Sequence, residues 1–166
     1  KQSFPSLRMR RLRSTDNIRR LVRETQLAPE NLIQPIFLSE GKNKKEKISS
    51  MPDIFILSID HALKEIKKLT TVGIIAIALF PKIAASKKTL NAEEAYKLDG
   101  LVQTCIKKIK DKFPDLLVIS DVALDPYTSH GQDGIIDKKG YIVNDDTNNT
   151  LVKQALSHAE SGADII

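Results

Sequence analysis

The residues best suited to chemistry fall between positions 121 and 134: Asp121, Asp125, His130 and Asp133, in the order Asp-Val-Ala-Leu-Asp-Pro-Tyr-Thr-Ser-His-Gly-Gln-Asp-Gly. Carboxylates that converge on one pocket can hold a hard cation, orient an ammonium group, or shift one another's pKa for proton transfer. Pro126, Gly131 and Gly134 mark turns, so the segment reads as a loop that folds back on itself. Just before it, Leu116-Leu117-Val118-Ile119-Ser120 reads as a buried strand, with Pro114 upstream. Asp121 therefore stands where a strand gives out. In parallel α/β proteins, residues leaving the C-terminal ends of strands build the active site. The plain alternative is three loop aspartates that only face water. Composition favours that alternative; the order of the residues favours the site.

Several elements must position this loop. Residues 1 to about 30 read as an arm and a short helix through Ile18, Leu21 and Val22, with Ser14 or Asp16 as its cap. The arm carries Arg8, Arg10, Arg11 and Arg13, then Arg19, Arg20 and Arg23. They form either a solvated basic tail or a grip on another subunit through bidentate contacts. Leu32 to Leu38 reads as a first strand that tolerates Pro35 awkwardly. Lys42 to Lys47 reads as a charged surface loop, and Ile48 to Ser58 as a small hairpin. Asp60 is expected to cap a helix with Leu63, Ile66 and Leu69 on its stripe and Gly73 at its end. His61 reads as exposed in its first turn.

Ile74 to Phe80 is a second buried strand, ended by Pro81. Lys82, Lys87 and Lys88 follow on a loop that is either solvated or attractive to an acidic substrate. Asn91 is expected to cap a helix reaching about Phe113, with Leu98, Leu101, Val102, Cys105 and Ile109 at helical spacing. Cys105 on that stripe reads as a small core residue. Gly134-Ile135-Ile136 and Gly140 to Asp145 read as two arms of a hairpin. Thr147 or Asn148 should start a helix with Leu151, Val152, Ala155 and Ala159 on one face, His158 bordering it as a packed histidine, and Gly162 at its end. Ala163 to Ile166 begins a fourth strand. Strands alternating with helices build a parallel sheet or a β/α barrel. Four units fall short of the eight that close a barrel, so the chain is expected to be the N-terminal half of a longer protein.

The chain has 166 residues, 41% of them hydrophobic and 28% charged, enough for one domain with a core. One cysteine and no recognisable signal peptide point to a reducing cytoplasm without disulfides. No apolar run has the length of a membrane span. A net charge of +5 leaves a nucleic-acid-binding module as a rival function. That rival predicts aromatic residues interleaved with the arginines, and the arm offers Phe4 alone. The expectation is no nucleic acid and no membrane.

The run Asp-Val-x-Leu-x-Pro-Tyr-Thr-Ser-His-Gly-x-x-Gly resembles the signature of porphobilinogen synthase, or 5-aminolevulinate dehydratase. Arg8-Met9-Arg10-Arg11-Leu12-Arg13 is similar to the arginine-rich motif at the start of that family. Arg23-Glu24-Thr25, Leu32-Ile33-x-Pro35-Ile36-Phe37, Ser50-Met51-Pro52 and Leu79-Phe80-Pro81 also look like its pattern. One departure is Asp53, where a glycine usually follows the proline. Another lies in the signature: zinc-dependent members carry three cysteines at the positions of Ala123, Asp125 and Asp133. With one cysteine in the whole chain, a three-cysteine zinc site is impossible within it. Oxygen ligands suit magnesium as thiolates suit zinc, so the resemblance is to the magnesium-responsive type.

The resemblance implies an α/β fold, the N-terminal half of a (β/α)8 TIM barrel with an extended N-terminal arm. Residues 1–30 would form the oligomerisation arm and residues 31–166 the barrel half. It implies a lyase that condenses two molecules of 5-aminolevulinate to porphobilinogen, with loss of water, in haem and tetrapyrrole synthesis. It implies a homo-oligomer, usually an octamer, in which Arg8, Arg10, Arg11 and Arg13 contact a neighbouring subunit. Asp121, Asp125 and Asp133 would take supporting catalytic roles, and Ser129 and His130 would order the loop. Asp125 and Asp133 would receive the substrate ammonium or magnesium, unless magnesium acts allosterically elsewhere. The family's two Schiff-base lysines would lie beyond Ile166, so the chain alone is expected to be inactive, or an assembly piece that self-associates.

Overall fold

Five strands form one mixed sheet in the computed structural model, which describes residues 3–166. They are β1 (Ile33–Ser39), β2 (Lys45–Lys47), β3 (Phe55–Leu57), β4 (Ala76–Lys82) and β5 (Leu117–Ser120). The α-helices are α1 (Asp16–Leu21), α2 (Ile59–Thr71), α3 (Leu101–Lys112) and α4 (Asn144–Glu160). The sheet order is β2-β3-β1-β4-β5. β1, β4 and β5 run parallel, placing Ile36 opposite Leu79 and Leu79 opposite Ser120. β3 lies parallel to the end of β1, and β2 returns antiparallel along β3. Beyond β5, Ile165 bridges Ile119 in parallel, where the fourth strand was expected.

Pleating sorts the residues into two faces. Ile36, Leu38, Ile77, Leu79 and Val118 are buried against Ile66 of α2 and Val102, Cys105, Ile106 and Ile109 of α3. Burying one such aliphatic side chain contributes about 1.5–3 kcal/mol. The opposite face holds Phe37, Ala78, Phe80 and Ile119, which are half-buried. Phe37 and Phe80 meet there with ring centroids 5.6 Å apart. Pro35 fits because β3 reaches β1 only at Phe37 and Leu38. At Pro35 the strand is paired on the β4 side alone, which is where a missing N–H is tolerated.

Several expectations are corrected. The charged stretch Lys45–Lys47 is a strand of the hairpin with β3, not a loop. β4 continues through Pro81 to Lys82. Asn91 starts no long helix: Ala92 takes a positive φ of 54°, a 3-10 turn covers Glu93–Tyr96, and α3 begins only after Gly100. Leu98 consequently lies exposed. Thr15, not Ser14 or Asp16, caps α1, accepting the Ile18 N–H at 3.2 Å. Ser58 holds the cap position of α2, and Asp60 sits within its first turn, accepting the Asn43 N–H. His61 is half-buried beside Asn43, 2.9 Å from its side-chain oxygen. The hairpin after the aspartate loop reduces to one bridge between Ile136 and Ile142.

The largest correction concerns α4. It starts at Asn144, and its buried residues are Thr147, Thr150, Gln154, Ser157 and His158. On the face expected to pack, Val152 is exposed and Leu151 and Ala155 are only half-buried. The inward stripe meets backbone groups of the neighbouring loop at two points, the Thr147 hydroxyl accepting the Ile135 N–H and the Gln154 amide donating to the Ala123 carbonyl, which apolar side chains could not satisfy.

Candidate active site

The aspartate loop is built on a turn. The N–H groups of Tyr127 and Thr128 both donate to the Leu124 carbonyl, at 2.9 and 3.0 Å. Leu124 and Tyr127 are buried and anchor the turn to the core. The loop then folds back: the Leu124 N–H donates to Asp133 Oδ1 at 2.6 Å, and the Thr128 hydroxyl donates to the Gln132 carbonyl at 2.8 Å. Gly134 allows the return. A Cβ there would stand 2.7 Å from Ile142 and 3.2 Å from the Thr147 hydroxyl. Thr89 stitches the loop to the one after β4, accepting the Ser129 N–H while its own N–H reaches the Tyr127 carbonyl.

The three aspartates are brought together. Pleating carries Asp121 to the face of Leu117 and Ile119, away from the helices. Partial burial holds its carboxyl above the usual aspartate range, and the charges of Asp125 and Asp133 push it further in the same direction. Asp133 has one oxygen committed to the Leu124 N–H, while Asp125 projects to solvent. Tyr127 lies beneath them, its phenol pushed upward by burial and then by the charge of Asp121. The arrangement places the Asp121 carboxyl, raised above its ordinary pKa, within reach of the charges of two further carboxylates that face solvent. Among the described residues no three His, Cys, Asp or Glu side chains converge as a metal cage. The oxygens of Asp125 and Asp133 suit a hard cation as a partial shell completed by water or substrate.

Ser129 contributes its backbone and leaves its side chain in solvent, and His130 Nδ1 accepts the Gln132 N–H at 3.2 Å. Arg8, Arg10, Arg11 and Arg13 lie far along the chain in the exposed arm, and none forms a salt bridge among the described residues. Arg8 rests over the Phe4 ring at 5.7 Å. Cys105 is fully buried, its thiol pushed up to about 12 by burial, as befits a core residue.

Sequence reasoning missed two groups. Lys87 is not merely solvated: it bonds Glu40 at 2.5 Å and the buried Glu94 at 3.3 Å, tying the loop after β1 to the loop after β4. Glu40 first, and Glu94 after it, hold the Lys87 ammonium above its ordinary pKa. The other group is the inward polar stripe of α4: His158 is packed as expected, while Thr147, Thr150, Gln154 and Ser157 are buried beside it, which the apolar spacing does not predict.

A family model described as delta-aminolevulinic acid dehydratase matches residues 6–166. The chloroplastic delta-aminolevulinic acid dehydratase of Physcomitrium patens is 44% identical over 160 residues, covering 96% of this chain and 37% of that protein. The delta-aminolevulinic acid dehydratase of Bradyrhizobium diazoefficiens is 45% identical over 161 residues, covering 97% of this chain and 45% of the relative. Among solved structures, delta-aminolevulinic acid dehydratase from Toxoplasma gondii ME49, in complex with the product porphobilinogen, superposes with a TM-score of 0.90 at 43% identity. That match covers 95% of this chain and 45% of the other. The chain thus spans less than half the length of these relatives.

Proposed function

We propose, since this chain belongs to the delta-aminolevulinic acid dehydratase family, that it supplies the first half of a β/α barrel that condenses two 5-aminolevulinate molecules to porphobilinogen, with loss of water, for tetrapyrrole synthesis. The observation that carries the reading is the loop at the end of β5, folded back so that Asp133 accepts the Leu124 N–H at 2.6 Å and the charges of Asp125 and Asp133 reach Asp121. In this reading Asp121, as a carboxylate, accepts a hydrogen bond from the substrate amino group and can take up a proton released there. Asp125 and Asp133 receive the ammonium group or magnesium. Bound at those two carboxylates, magnesium supplies positive charge that organises substrate oxygens and the loop. The lysines that form Schiff bases with the substrate ketones belong to the part of the protein beyond Ile166. His130 fixes the return of the loop, and Ser129 sets its backbone against Thr89.

The same reading makes residues 1–30 an arm that joins subunits of a homo-oligomer, an octamer, through Arg8, Arg10, Arg11 and Arg13. Residues 31–166 are the barrel half. No helix among the described residues is long and apolar enough to cross a membrane. We place the protein in the cytoplasm, in keeping with its single buried thiol.

The test is pyrrole formation from 5-aminolevulinate by the full-length protein, first with chelator and then with added magnesium or zinc. Porphobilinogen raised by magnesium and indifferent to zinc is expected. No pyrrole under any metal would overturn the assignment. Replacing Asp125 and Asp133 together by Asn should abolish the response to magnesium; a response left intact places magnesium at a separate, allosteric site.

A further inference from the structure

We infer that the buried polar face of α4 is a rack that holds the carboxylate loop in place, and that Gln154 and His158 are positioning residues for Asp121 and Asp125. A helix laid on a sheet ordinarily buries aliphatic side chains. α4 buries Thr147, Thr150, Gln154, Ser157 and His158 and leaves Val152 and Leu156 57% and 58% exposed. Buried polar groups are costly unless they are hydrogen-bonded, so the bonds they make identify their use.

Three of those bonds fall on the end of β5 and the loop that follows it; Thr150 and Ser157 instead donate to carbonyls of α4 itself. His158 Nδ1 lies 3.0 Å from the Ser120 hydroxyl, the residue before Asp121. Gln154 Nε2 donates to the Ala123 carbonyl at 3.2 Å, between Asp121 and Asp125. The Thr147 hydroxyl accepts the Ile135 N–H at 2.9 Å, just after Asp133 and Gly134. Gln154 and His158 are both 0% exposed. Their remaining polar atoms, Gln154 Oε1 and His158 Nε2, make no hydrogen bond among the described residues. His158 thus directs its bond at the last residue of β5, and Gln154 directs its amide N–H at the loop. Ser157 fixes the rack from behind, its hydroxyl accepting from Gln103 Nε2 of α3 at 2.9 Å. The rack touches none of the three carboxylates. It holds the Ser120 side chain before Asp121 and the Ala123 carbonyl after it, and a carboxyl's approach to its neighbours depends on the backbone between those two points.

Hydrogen exchange of the full-length protein tests the rack itself, and pyrrole formation tests its use, which rests on the proposed function. Gln154→Met and His158→Leu keep volume and remove the bond. Each is expected to speed amide exchange in residues 121–136 by about fivefold or more, with β1 and β4 unchanged. His158→Asn, whose amide reaches the place of Nδ1, should restore protection. In the same variants kcat should fall about tenfold to a hundredfold while KM stays within about twofold. Loop exchange unchanged in both variants, or faster exchange spread over the whole sheet, would overturn the rack. Should His158→Leu fail to fold, Ser120→Ala removes the same bond at little cost in volume; should Gln154→Met fail, Gln154→Glu removes the amide donor at the same size, and each decides by the same exchange readout. If the unaltered protein forms no pyrrole, the proposed function fails while the exchange result still stands for or against the rack.

Discussion

At the scale of single residues, burial and charge set two opposite pH dependences. Asp121 has its folded pKa raised, by burial first and by Asp125 and Asp133 after it. Its contribution to stability is therefore full below the unfolded pKa and is lost as pH rises through the folded value. Asp121→Asn should stabilise the protein at neutral pH by less than about 1 kcal/mol, since solvent screens the group, with no gain in strong acid. Thermal melts of both proteins across pH check the sign. His158 behaves in the contrary sense: burial lowers its pKa from 6.5 to about 4. Its neutral form stabilises the fold above the unfolded pKa, and that contribution disappears as pH falls from 6.5 through about 4. His158→Asn should flatten this acid limb, which denaturant titrations between those pH values would measure.

At the scale of elements, a carboxylate fastens the segment after α4 to the sheet. Asp164 accepts the Val118 N–H at 2.8 Å and the Lys110 ammonium at 3.0 Å, and Lys110 also donates to the Leu116 carbonyl. Burial alone would raise the Asp164 pKa; the Val118 N–H and Lys110 overcome it and leave the pKa lowered. Asp164→Ala leaves the Val118 N–H without its acceptor and Lys110 without its counter-charge, and should cost about 1–3 kcal/mol in denaturant unfolding. Lys110→Met should cost less, because Asp164 keeps Val118. The reading of β4 and β5 as buried strands held because continuous apolar runs of that length allow little else. The long helix from Asn91 did not hold. A left-handed Ala92 and the break at Gly100 outweighed a periodicity that Leu98 merely happened to extend.

At the scale of the whole molecule, the arm and the sheet carry exposed apolar surface. Phe4, Met9, Leu12, Leu21 and Leu27 are exposed beside the arm's arginines, and so are Ile33 and Leu117 on the open face of the sheet. Exposed apolar side chains beside Arg8, Arg10, Arg11 and Arg13, which form no salt bridge among the described residues, suit the subunit contact proposed for the arm. Deleting residues 1–13 from the full-length protein should reduce the assembly in analytical ultracentrifugation to smaller oligomers. An unchanged sedimentation coefficient would remove the arm from the subunit contact.

The sequence by itself determined the order of the parallel strands β1, β4 and β5, the place of Asp121 at a strand's end and the core role of Cys105. Each follows from local facts: apolar runs, turn residues and the identity of a few side chains. It determined the family resemblance too, through the ordered run from Asp121 to Gly134. Tertiary structure alone decided which side of α4 turns inward. A helix's apolar stripe predicts its buried face only when an apolar surface lies opposite, and here the neighbouring loop presents backbone groups to satisfy, the Ile135 N–H and the Ala123 carbonyl. It also decided that Asp133 folds back onto Leu124, that Lys87 joins Glu40 to Glu94, and that Asp121 sits close enough to two other carboxylates to feel their charge. Those are distances between residues remote or reversed in sequence, and no spacing along the chain encodes them.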